Sequence, residues 1–293
     1  MRTADFVTAV RREAQLPSVS VADADILGAG DLVVQGRVVP FLRAAGSEFM
    51  VRTESVTPDS NGRARLPLRA VGASTRLVQL VQGSSRYTLP LYGPESDTGQ
   101  VGSPPFGYYM DAGSIVLLPA ASAGTLLVRY EARPGRMVLS TDLTKAVIVS
   151  IVTAGATTTT VHLTGSLLGG VGLDCVTSGP AHEIIGLNFD MSSLGGDDFL
   201  VTNADFINQP VIGDWFCYAD TTPFVPVPEE LTAAVILLTA SDMLDALGYG
   251  QEAAARGKRG DALIEAAKDA VTPRNEGNAR RWMGGMRRAL RWF

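Results

Sequence analysis

The spacing of apolar residues changes character twice along the chain. In residues 1–48 they recur at helical intervals. Phe6, Val7 and Val10 share one face of a first short helix, for which Thr3 is a fitting N-cap. Asp23 or Asp25 then opens a second helix, with Leu27, Val34, Val38 and Phe41 at i, i+7, i+11 and i+14. Gly28, Gly30 and Gly36 weaken that helix, and Pro40 predicts a kink in it.

From Glu48 the period becomes two. Phe49, Val51 and Thr53 alternate with Met50, Arg52 and Glu54; the turn residues Asp59-Ser60-Asn61-Gly62 and the run Arg63 to Leu68 complete an expected hairpin. Further alternating runs predict strands at 77–82, 87–91, 108–110, 114–118 and 125–132, with a hairpin turn at Asp111-Ala112-Gly113. A second set is expected at 146–153, 158–164, 173–178, 184–189, 199–202 and 215–218. Short strands at this density argue for a barrel or sandwich, or two small ones in succession.

A third regime begins at Pro226 and Pro228, where Glu229 and Glu230 suit the first turn of a helix. Residues 231–247 are apolar nearly all round, which predicts a buried helix, and Gly248-Tyr249-Gly250 ends it. The last helix, 251–271, carries a stripe of Ala253, Gly257, Gly260, Ile264, Ala267 and Val271. Gly257, Gly260 and Ile264 on that stripe are the candidate helix-packing residues, because small side chains let a neighbouring helix approach closely. The expected plan is thus α+β: a helical bundle built from both chain ends, with a large antiparallel β barrel or sandwich inserted between them. Its parts are N-terminal helices (1–48), a β-rich insertion (49–227) that could be two small subdomains, C-terminal helices (228–272), and a tail (273–293).

Composition adds a core and removes several functions. The 293 residues are 46% hydrophobic and 19% charged, enough to bury a core without bulk disorder. The net charge of −5 excludes a generally basic nucleic-acid binder. Asp5, Arg11, Arg12 and Glu13 stand where a secretory leader needs an apolar run. The segment 231–247 is short for a bilayer and contains Asp242 and Asp245. A protein made in a cytoplasm, with no membrane partner, is expected. Cys175 and Cys217 are too few for a disulfide scaffold, and buried free thiols are the plainer reading.

Catalytic signatures are missing. The sequence holds no G-x-S-x-G elbow, no G-x-x-x-x-G-K-[ST] loop and no H-E-x-x-H. Asp23-Ala24-Asp25 faintly resembles a calcium loop, but Leu27 and Val34 fall where ligands are needed, so an N-cap role is preferred. His162 lies in a β run and His182 in a turn, neither at ligand spacing from a second His or Cys. A non-enzyme without catalytic, cofactor or metal residues is the expectation.

Two charge asymmetries stand out. Residues 273–293 hold six arginines against Glu276. On a helical wheel Trp282, Met286, Leu290 and Phe293 share one face, while Arg280, Arg281, Arg287, Arg288 and Arg291 take the other, with Trp292 adding a second indole. Aromatic residues are costly to leave in water and typical of interface anchors. A frayed, solvated tail is the plainer alternative. Between residues 137 and 227 Lys145 faces nine carboxylates, among them Asp197, Asp198 and Asp205. Ordinary solubility explains this as well as any acidic surface does.

Soft motifs carry one resemblance. They are Val39-Pro40-Phe41-Leu42, Glu48-Phe49-Met50-Val51-Arg52-Thr53, Gly107-Tyr108-Tyr109 through Leu117-Leu118-Pro119, and Thr125 to Tyr130 with Arg133-Pro134. After the β region come Val227-Pro228-Glu229-Glu230-Leu231 and Pro273-Arg274-Asn275-Glu276-Gly277. In this arrangement, over almost the whole chain, the sequence resembles the head-to-tail adaptor (connector) proteins of tailed bacteriophages. The resemblance implies a virion structural protein of the neck, assembled in the host cytoplasm. Such a protein forms a ring, commonly a dodecamer, beneath the portal and joins capsid to tail. Its C-terminal segment docks on the portal, a tail tube, nozzle or neck protein sits below, and genomic DNA passes through without specific binding. Asp197, Asp198 and Asp205 would then be candidates for lining the channel. A carbohydrate-binding β module, for example one associated with a tail fibre, is the rival. It asks for exposed aromatics in a β region whose one tryptophan is Trp215. An interfacial membrane-active protein is a third reading, resting on the tail alone.

Overall fold

The computed structural model describes residues 1–16, 21–67, 69–96, 105–119, 124–165, 172–179, 182, 184–203, 206 and 208–272. The fold is mixed α+β, and its sheets are largely antiparallel. The chain divides into two compact units, residues 1–49 with 135–293, and residues 50–134. The boundary at residue 134 falls within the β-rich stretch 49–227, for which two small subdomains are one of the expected arrangements.

In the first unit, α1 (Thr3–Ala14) buries Phe6, Val7 and Val10, the expected face. Thr3 does not cap it. Its buried hydroxyl lies 2.6 Å from the Val138 carbonyl and accepts the Ser140 N–H, so it ties the helix start to a distant loop. Helix α2 (Asp23–Val33) likewise has Ala22 at the N-cap; Asp23 instead pairs with Arg11 at 2.6 Å, linking α1 to α2. Helix α2 runs through a π-helical turn (Val34–Val38) into α3 (Val39–Ala44). The widened turn precedes Pro40, whose ring would collide with the Gly36 carbonyl in an ordinary α register.

Helix α4 (Glu229–Ala246) buries Leu231, Val235, Leu238 and Leu244 and packs against α1, α2 and α5 (Gly250–Ala266). Gly248 (φ +86) supplies the left-handed residue between α4 and α5. A short α6 (Lys268–Val271) follows.

The same unit holds strands β8 (Arg136–Met137), β9 (Ala146–Ala154), β10 (Thr158–Thr164), β11 (Leu173–Val176), β12 (Ile184–Phe189), β13 (Ser192–Gly195), β14 (Asp198–Thr202), β15 (Trp215–Tyr218) and β16 (Thr221–Thr222). Seven of them form one sheet in the order β12-β11-β15-β9-β10-β14-β13, while β8 and β16 pair separately. The end strands β12 and β13 do not pair, so among the described residues there is no closed barrel. Its two faces bury different clusters. Val149, Val161, Leu173, Cys175 and Phe216 share one; Ala146, Val176, Trp215, Cys217 and Phe224 share the other. Cys217 pairs in register with Asp174, the residue before Cys175. A one-residue offset puts the two thiols on opposite faces, and both cysteines are free and buried.

The second unit contains β1 (Val51–Val56), β2 (Arg63–Arg65), β3 (Ala70–Gln82), β4 (Ser85–Leu89), β5 (Gly107–Asp111), β6 (Ser114–Leu118) and β7 (Thr125–Ala132). They make two sheets, β1-β7-β3-β4 and β2-β6-β5, whose inner residues Ala64, Leu80, Ile115, Leu117, Val128 and Tyr130 form one core. The hairpin expected around residue 60 does not form: β1 pairs with β7 and β2 with β6. The turn itself is there, with Asp59 Oδ1 accepting from the N–H groups of Asn61 and Arg63, but it carries the chain from one sheet to the other. The Asp111–Ser114 hairpin forms as expected, with Ala112 (φ +43) and Gly113 (φ +78) in its loop.

Candidate functional site

The glycine stripe of α5 meets α4 within the chain. A Cβ on Gly260 would lie 2.7 Å from Leu238 Cγ and 3.4 Å from the Ala234 carbonyl, so glycine there sets how closely the helices approach. On Gly257 it would meet Ser241, with Oγ at 3.1 Å and Cβ at 3.9 Å. That hydroxyl donates to the Ala253 carbonyl at 2.8 Å, a polar clasp inside the helix pair. Ile264 is buried on the same stripe. Arg37 of the π turn reaches Asp242 on α4 (3.8 Å) and Asp261 on α5 (3.5 Å). Partial burial raises the Asp242 carboxyl above its usual range, with Arg37 opposing.

Beside the turn that joins α4 to α5 lies a groove of about 630 Å³, lined by Ala14, Leu16, Leu244, Leu247, Tyr249 and Arg256 among others. Arg256 Nε donates to the Glu13 carbonyl at 2.7 Å, satisfying an end-group of α1 that no intrahelical bond reaches. Leu247 and Tyr249 are exposed at its mouth.

The acidic residues between 137 and 227 do not form one class. Asp174 and Asp214 are each 1% exposed. Asp214 accepts the Ser178 N–H (3.0 Å) with one oxygen and the Val211 N–H (2.9 Å) with the other; Asp174 accepts the Asp220 N–H at 2.9 Å. These two are interior clamps on loop backbone and are not available to a surface. Asp142 holds Thr144 and Lys145 in a turn, and those bonds pull its carboxyl below the usual range. Asp197 and Asp198 sit at the tip joining β13 to β14, after Gly195 (φ +113) and Gly196 (φ +62). Asp198 pairs across strands with His162, Oδ1 to Nδ1 at 2.8 Å, both side chains partly exposed. Asp205 lies outside the described residues.

The docking residues Arg280, Arg281, Trp282, Met286, Arg287, Arg288, Leu290, Arg291, Trp292 and Phe293 also lie outside the described residues. Trp215 is 2% exposed, with Phe224 against its ring edge at 6.0 Å and the Arg2 guanidinium over its ring at 5.6 Å. It therefore offers no face to a sugar. Among the described residues, the exposed aromatics of the β region are instead Tyr87, Tyr92 and Phe106.

Two polar sites escaped the sequence reading. Asp31 on α2 accepts the Met137 N–H, and burial raises its carboxyl to about 6. It lies four residues after Leu27 and three before Val34, so its place on the buried stripe was legible. Glu54 accepts the Tyr130 hydroxyl at 3.0 Å; burial raises the carboxyl and pushes the phenol up. No sequence signal joins residues 76 positions apart.

Among the described residues no group of three or more His, Cys, Asp or Glu could hold a metal ion. No helix among them is long and apolar enough to cross a membrane. Compared with known proteins, the sequence matches no family model and no curated protein.

Proposed function

We propose that the protein is a structural head-to-tail adaptor of a tailed bacteriophage, forming a ring beneath the portal and joining the capsid to the tail. The observation that carries this reading is the return of the chain: α4 packs on both α1 and α2 after the strands between them. The remaining stretch, 273–293, then follows directly from the C-terminal helices with its arginines and aromatics. Within the described residues, motifs of the resemblance fall on packing and turn positions. Val39-Pro40-Phe41-Leu42 starts α3, Gly107 to Leu118 spans the β5–β6 hairpin, and Val227-Pro228 leads into α4. Such residues serve a scaffold and carry no reacting group.

In this reading the tail anchors each copy to the portal, and its arginines steer it toward acidic portal surface. Linked copies multiply a modest affinity per anchor, since later contacts become intramolecular. DNA passes through the ring, and exposed Asp197 and Asp198 give it no cation to adhere to. Negative-stain imaging of the purified chain mixed with its portal tests the reading. A ring seated on the portal is the expected result; no complex at low salt would overturn it.

A further inference from the structure

The four-stranded sheet of the smaller unit ends in β4, and among the described residues no strand pairs with its outer side. Gly83 (φ +59) and Ser84 join β3 to β4 as a two-residue loop, with Gln82 opposite Ser85. Counting outward from that closing pair, Ser85, Tyr87 and Leu89 exchange backbone bonds with β3. Arg86 and Thr88 therefore aim their N–H and C=O groups away from the sheet.

Folded proteins usually blunt such an edge, and the other edges of this chain's two larger sheets are blunted. The register shifts along both β12 and β13, and β1 carries Arg52 and Glu54. The outer side of β5 is occupied, since Tyr108 N–H donates to the Pro90 carbonyl and Tyr92 N–H to the Tyr108 carbonyl. Strand β4 has an unbroken register with β3, no proline, and Arg86 as its one charge. Tyr87 lies opposite the buried Leu80 yet is itself 53% exposed, and among the described residues no strand continues the sheet beyond it.

We propose that β4 is a docking edge for a second copy of this chain, the two β4 strands pairing antiparallel across a two-fold axis. The strand is self-complementary. With Tyr87 facing Tyr87 of the second copy, Arg86 falls opposite Thr88 of that copy, and the reverse. Both residues of each such pair have outward-pointing backbone groups, so the register satisfies them all. It sets arginine against threonine rather than arginine, avoiding like charges directly opposite. It also covers two exposed tyrosine rings with each other. The pairing concerns the free chain and stands apart from the portal reading.

Cysteine scanning on the full chain tests the register. At the two-fold, a non-hydrogen-bonded pair has Cα atoms about 4.5 Å apart, within disulfide range. Mild oxidation of Tyr87→Cys should therefore yield a covalent dimer on a non-reducing gel. Arg86→Cys alone should stay monomeric, and an equimolar mix of Arg86→Cys with Thr88→Cys should cross-link. The native cysteines are buried and give little background. In sedimentation the unmodified chain should dimerise, and Tyr87→Glu, at an exposed position, should weaken the dimer at least about tenfold without lowering Tm. A monomer at every concentration, no cross-link through Tyr87→Cys, or equal cross-linking by Arg86→Cys alone would overturn the proposal.

Discussion

Asp31 on α2 receives the backbone N–H of Met137 on β8 between its two carboxylate oxygens, at 3.0 and 3.2 Å. One side chain thus joins a helix from the start of the chain to the strand that follows residue 134. Its neighbour Gly30 makes room for the junction: a Cβ there would lie 2.6 Å from Met137 Cε and 2.9 Å from Phe6 Cε1.

That carboxyl ionises near pH 6 in the folded protein because burial penalises its charge, against 3.8 for the free group. A raised carboxyl means that the folded state binds more protons than the unfolded one between pH 4 and 6. Stability should therefore fall as pH rises through that window. Asp31→Asn keeps an acceptor for Met137 and removes the charge. It should flatten the pH dependence and add about 1 kcal/mol at pH 7.5, after discounting for partial exposure. Asp31→Ala should instead lose about 1–3 kcal/mol by orphaning the Met137 N–H. Urea titrations at pH 4.5 and 7.5 read both.

The two glycines of α5 should respond differently to alanine. Gly260→Ala forces Leu238 aside and should cost about 1–3 kcal/mol, reduced by up to about 1 kcal/mol of helix propensity. Gly257→Ala meets the Ser241 side chain, so the gain in propensity should leave stability within about 1 kcal/mol of the original. Thermal unfolding of the two variants separates them.

Asp214 serves the fold, so removing it should be felt without any partner present. Asp214→Ala leaves the N–H groups of Ser178 and Val211 without their acceptor and should cost about 2–4 kcal/mol. Asp197→Ala at the exposed hairpin tip should change stability by less than about 0.5 kcal/mol. Urea unfolding of the pair checks the contrast.

On the proposed adaptor function, deleting residues 280–293 should leave Tm unchanged while weakening attachment to a portal at least about a hundredfold, because the proposed aromatic anchors and their multiplied contacts go together. Trp282→Ala with Phe293→Ala should do much of the same damage with every arginine kept. Co-sedimentation with the portal, alongside a melting curve, reads both quantities.

Much of this architecture is a direct consequence of local pattern. Strand β7 alternates half-buried and buried positions from Thr125 to Ala132, as its sequence alternates. The apolar run after Pro228 is largely buried from Leu231 to Ala240, because a helix stretch without a polar face has no side to give to water, and it opens to solvent where Asp242 and Asp245 enter it. The stripe of Gly257, Gly260 and Ile264 follows from a period of 3.6 alone. These features depend on neighbours within a turn or a strand, so the sequence determined them by itself.

Pairing and burial of charge depend on residues far away, and there the tertiary structure decided. Strand β1 takes its partner from β7, with Val51 opposite Glu131 and Val56 opposite Leu126, although a good turn follows it at Asp59. Turn chemistry bends the backbone, but which edge receives the next strand depends on which core face can be closed. Asp174 and Asp214 look like any solvated carboxylate in sequence. They are interior because three loops present N–H groups where they lie, and a buried carboxylate is tolerable only where such donors meet it.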